Sequence, residues 1–118
     1  MRDPPLPFDN RLTLMQTDAP DTHELSAEIS ALLGAPSGGA GAPSLRELED
    51  TLTTGYARAL ALEAERERIE RGLAGATGLE QADLSRRLER VKAELTELRR
   101  LLAPLRSRAR AMRSLTIT

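Results

Sequence analysis

From Leu84 to Met112 the apolar residues Leu84, Leu88, Val91, Leu95, Leu98, Leu102, Leu105, Ala109 and Met112 recur at alternating steps of four and three, without a slip. A seven-residue repeat held for four heptads makes a helix with one continuous apolar seam, and such a seam is stable only against another helix. The nearest candidate for that helix lies in the same chain.

A second repeat supplies it. Ser44-Leu45-Arg46-Glu47 has the spacing of a capping box, in which the Ser hydroxyl and the Glu carboxylate each satisfy a backbone N–H that the first helical turn leaves unpaired. Behind it, Leu45, Leu48, Leu52, Gly55, Ala59, Leu62, Arg66, Ile69 and Leu73 again alternate three and four. Gly72, Gly75 and Gly78 interrupt the pattern, and Thr77-Gly78-Leu79-Glu80 offers a second capping box. So short a link between two long helices forces them to lie antiparallel as neighbours.

Folding about residue 75 pairs Leu45 with Leu105, Leu48 with Leu102, Leu52 with Leu98, Gly55 with Leu95, Ala59 with Val91, and Leu62 with Leu88. Opposite charges then meet on the flanks: Glu63 with Lys92, Glu49 with Arg106, Glu65 with Arg87 and Arg58 with Glu94. Exposed pairs of this kind contribute only about 0–1 kcal/mol each, and their role is to disfavour wrong pairings. Arg66 falls in the seam opposite Leu84 and is expected to reach Glu70 or Asp83 with its guanidinium. Pro104 removes a backbone donor inside the second helix, which predicts a kink near Arg100 to Ala103. Ala109 and Met112 are left without a partner on the first long helix, in an overhang that also carries Arg106, Arg108, Arg110 and Arg113.

Ahead of the hairpin the pattern changes. Residues 1–20 contain Pro4, Pro5, Pro7 and Pro20 with no sustained period, which predicts an extended or disordered tail. Residues 21–34 read as a short amphipathic helix, opened by Asp21 or Thr22, with Leu25, Ile29, Leu32 and Leu33 on one face; Gly34 and Pro36 end it. Residues 35–43 are a Gly/Pro/Ala linker, residues 44–113 the hairpin and residues 114–118 a C-terminal tail. A helix that short does not persist alone in water, so its face needs a surface. The overhang of the hairpin, or another chain, is expected to provide it.

The fold class is therefore all-α: a long antiparallel coiled-coil hairpin with a short tethered N-terminal amphipathic helix, expected to assemble as a helical bundle. With 2% aromatic residues, 7 Pro and 8 Gly, little material remains for a globular core. Residues 1–85 hold 7 Arg against 15 acids, and residues 86–118 hold 10 basic residues against 3 acids. The flank pairing accounts for this division internally, which makes nucleic acid an unlikely partner. The use of Arg over Lys, with Lys92 alone, fits a GC-rich bacterial genome. No signal-peptide-like run and no stretch of 18 apolar residues is present, so a cytoplasmic protein with no membrane span is expected.

Chemistry is scarce. There is no Cys, and His23 is the single His, so neither a Cys–His pair nor a histidine-based metal cluster can form within one chain. No enzyme activity, cofactor or metal site is expected. The outline is similar to the hairpins that secondary-channel regulators insert into RNA polymerase, and it resembles those of cyclic-di-GMP-binding anti-sigma factors. The second family's ligand pattern is not met around Ser85, where Leu88 stands in the Arg place, so no ligand residue carries over.

The reading from sequence is a non-enzymatic coiled-coil adaptor or oligomerisation protein that binds itself or another protein by helix packing. Its expected contact residues are Leu25, Ile29, Leu32, Leu33, Tyr56, Leu60, Leu101 and Met112, with Arg106, Arg108, Arg110 and Arg113 beside them. The alternative is a regulator of the transcription machinery acting through the basic overhang or through an acidic tip at Glu67, Glu70, Glu80 and Asp83.

Overall fold

A computed structural model describes residues 22–117, with side chains through Leu115; the expected tail over 1–20 lies outside the described residues. Three helices follow one another: α1 (Thr22–Gly34), α2 (Leu45–Leu73) and α3 (Gly78–Ile117). The described residues contain no strand. α2 and α3 form the antiparallel hairpin, and α1 lies on its side. α3 also takes in residues 114–117, which the sequence pattern assigns to a tail.

The start of α2 follows its sequence. Ser44 Oγ accepts from the Glu47 N–H at 3.1 Å, and Glu47 Oε1 accepts from the Ser44 N–H at 2.8 Å, so both halves of the capping box are closed. At the other end the expected second box does not form. Gly78 takes φ +62°, a left-handed conformation suited to glycine, and Thr77 contributes its carbonyl, which accepts from the Gln81 N–H at 3.4 Å. α3 runs unbroken through Pro104. The proline is exposed, so the carbonyl it leaves without an i+4 donor sits on the water side of the helix.

The pairing of the rods differs from the expected one by a full heptad. A Cβ built on Gly55 would lie 2.5 Å from Leu102 Cδ2, so Gly55 packs against Leu102 and not Leu95. A Cβ built on Gly72 would lie 3.5 Å from Leu84 Cδ1, Glu63 pairs with Arg99 where Lys92 is expected, and Glu49 pairs with Arg113 at 2.7 Å where Arg106 is expected. Continued along the seam, this register sets Leu48 against Ala109, Leu52 against Leu105 and Leu62 against Leu95. Arg58 does meet Glu94, at 3.8 Å. The shift moves the overhang from one end to the other. Ala109 is buried and Met112 packs against the core, whereas Leu79 in the first turn of α3 is 90% exposed.

Leu25, Ile29, Leu48, Leu98 and Leu105 are fully buried, so α1 and the hairpin share one core. α1 is thus docked on its own hairpin, one of the two placements its apolar face allowed.

Candidate interaction surface

The two sides of the hairpin differ in what covers them. On one side, Thr51 and Arg58 of α2 and Glu94, Leu101 and Arg108 of α3 form a flank that receives α1. Arg58 Nε donates to Thr22 Oγ1 at 2.9 Å, and Thr51 Oγ1 donates to Glu28 Oε2 at 3.5 Å. Leu101, outside the seam, is buried beneath this arrangement.

Arg108 fastens the far end of α1. Its Nη1 donates to the carbonyls of Leu32 and Leu33 at 2.7 and 3.0 Å, and its Nη2 donates to those of Ala35 and Pro36 at 2.7 and 2.6 Å. The last turn of α1 has no basic residue of its own. Helix C-termini leave carbonyls unpaired and carry partial negative charge, and α3 delivers the cation that answers both.

Among the described residues the opposite side is left open. A groove runs between α2 and α3 from the Glu63–Arg99 pair at one end to the Glu49–Arg113 pair at the other. Beside the Glu63–Arg99 pair it holds a hollow of about 390 Å³, bordered also by Tyr56, Leu60, Leu102, Ala103 and Arg106. Thr53, Ala109 and Arg110 line its continuation. Tyr56 is 41% exposed and Leu60 66%. Together they give the hollow an apolar margin on the α2 side.

The expected contact residues therefore separate. Leu25, Ile29 and Leu101 are buried within the chain, and Leu32, Leu33 and Met112 are half-buried against the same core. Arg108 holds α1, and Arg113 pairs with Glu49. Tyr56, Leu60, Arg106 and Arg110 remain on the open groove. Sequence reasoning missed the groove walls at Glu63, Arg99 and Ala103, although Lys92, Arg99, Arg106 and Arg113 recur every seven residues and signal a basic stripe.

At the hairpin tip Asp83 is engaged by Arg86 at 2.8 Å. Arg66 Nε is buried and makes no hydrogen bond, so the expected contact with Glu70 or Asp83 does not satisfy it. His23 is exposed beside Ser26, Ser30 and Glu97, between α1 and α3. Among the described residues no group of three His, Cys, Asp or Glu is placed to hold a metal ion, and no helix is long and apolar enough to cross a membrane. No family model, curated protein or solved structure matches this chain.

Proposed function

We propose that the protein is a non-enzymatic helical adaptor that binds protein, a copy of itself or another chain, by helix packing on the open groove. The observation that carries this reading is the exposure of Tyr56 and Leu60 beside the hollow at Ala103, on a hairpin whose other side is already filled. The groove carries residue types that are enriched at protein interfaces: a tyrosine on the α2 wall and four arginines on the α3 wall. The reading is supported by analogy with α1, a short helix laid along the other flank of the same two rods.

Site-specific photo-crosslinking tests it. A photoreactive side chain at Leu60 is expected to give covalent adducts with protein, either a second copy or a different chain. The same group at Arg90, exposed on α3 outside the groove, is expected to give none. Equal yields from the two positions, or none from Leu60, would remove the reading.

A further inference from the structure

We infer that the occupant of the open groove is a second copy of this chain, lying alongside the first with both hairpin tips at the same end. This deepens the adaptor reading and rests on it. The argument is one of charge along the two walls. On α2 the groove carries Glu49, Tyr56 and Glu63, each one heptad from the next; on α3 it carries Arg113, Arg106 and Arg99 at the same three heights. One wall is acidic with an aromatic centre, and the other is basic throughout.

Two copies can meet face to face about a twofold axis in either of two ways. With the axis along the rods, α2 of one copy lies over α3 of the other at unchanged height. Glu63 then meets the second copy's Arg99, Glu49 meets its Arg113, and Tyr56 presents its ring to the guanidinium of its Arg106. Tyr56 and Leu60 enter the hollow at Ala103, and the four rods make a bundle with α1 of each copy on its outer face. With the axis across the rods at Tyr56, α2 lies on α2 and α3 on α3. Glu63 then faces Glu49, and Arg99 faces Arg113, so like charges meet at both ends. Charge pattern therefore selects the first arrangement.

The chain has no cysteine, so Leu79→Cys offers one attachment point for a spin label on an exposed residue at the tip. Light scattering on the labelled full chain is expected to give a dimer. Pulsed dipolar spectroscopy is expected to give a separation of roughly 20–30 Å, the width of a few packed helices. The crossed arrangement places the tips about 80 Å apart, because 27 residues of helix separate Leu79 from the level of Arg106 on each side. Two charge variants supply an independent measurement. Glu63→Arg alone and Arg99→Glu alone are each expected to be monomeric with unchanged helicity by circular dichroism, and an equimolar mixture is expected to restore a dimer containing one chain of each. Mixing repairs only contacts between chains, since the pair within each chain stays mismatched.

A monomer at every concentration up to millimolar, or a dimer with the long tip separation, overturns the inference. If crosslinks from Leu60 then lead to a different protein, the adaptor reading survives it; if they lead to nothing, both fall together.

Discussion

Arg108 is the side chain on which the attachment of α1 most depends. Its planar fork spans four carbonyls, and charge-assisted hydrogen bonds of this kind stabilise more than neutral ones. Arg108→Ala is expected to lower stability by about 2 kcal/mol in urea unfolding and to speed amide exchange in α1 ahead of α2 and α3. Arg108→Lys should recover only part of the loss, because a compact ammonium cannot divide its donors between two pairs of oxygens. Arg66 predicts the opposite sign. Its Nε is buried with no partner, and Arg66→Leu removes that orphaned donor from an apolar seam. The variant is expected to be more stable by about 1–2 kcal/mol, read as a higher urea midpoint at unchanged slope. The two glycines inside α2 make a matched pair. Gly55→Ala drives a methyl into Leu102, and overpacking of about 1–3 kcal/mol outweighs a helix-propensity gain of up to ~1 kcal/mol. Gly72→Ala meets only an ordinary contact with Leu84 and keeps the gain. Thermal melts should therefore move in opposite directions for the two variants.

Between elements, the Gly38 to Gly41 tether and the hairpin pairing carry different lessons. Gly39 and Gly41 both adopt positive φ, and the segment is exposed. Closing a loop depends only on the logarithm of its length, so doubling the tether with Gly and Ser is expected to cost about 0.6 kcal/mol in urea unfolding. A loss much greater than that would mean the tether itself packs against the bundle. The seam, the N-terminal cap of α2 and the face of α1 were all legible in the sequence, because each rests on local spacing. The pairing of the rods was not. Moving α3 by seven residues returns leucine to leucine along the seam, and the stripe of Lys92, Arg99, Arg106 and Arg113 offers Glu49 and Glu63 a basic partner in either position. A bend centred on residue 75 selects one of these equivalents, and the protein adopts the other. Gly55 leaves space in the seam that Leu102 fills, and that contact fixes the pairing. The docking of Arg108 was hidden for another reason: its four acceptors are backbone atoms 72 to 76 positions away, which no spacing rule reports.

Taken whole, the molecule measures 58 × 43 × 21 Å, and its longest dimension matches the length of the single 40-residue helix α3. One flank of the hairpin is closed by its own N-terminal helix, and the other displays an acidic wall and a basic wall side by side. A dimer built on that flank ties folding to association, so its melting temperature is expected to rise with protein concentration. Leu60→Glu, which places charge in the hollow at Ala103, should abolish the concentration dependence while leaving the dilute melt nearly unchanged, since Leu60 is exposed within one chain.

The heptad spacing that organises both rods has a mechanical corollary. A rack whose teeth are evenly cut engages its pinion equally well at every notch, and one notch of α3 corresponds to a travel of about 10 Å. Periodic teeth transmit force but do not select a position. Here selection falls to features that break the periodicity, among them the missing side chain at Gly55, into which Leu102 seats, and the guanidinium of Arg108, clasped on a helix end that exists at only one height.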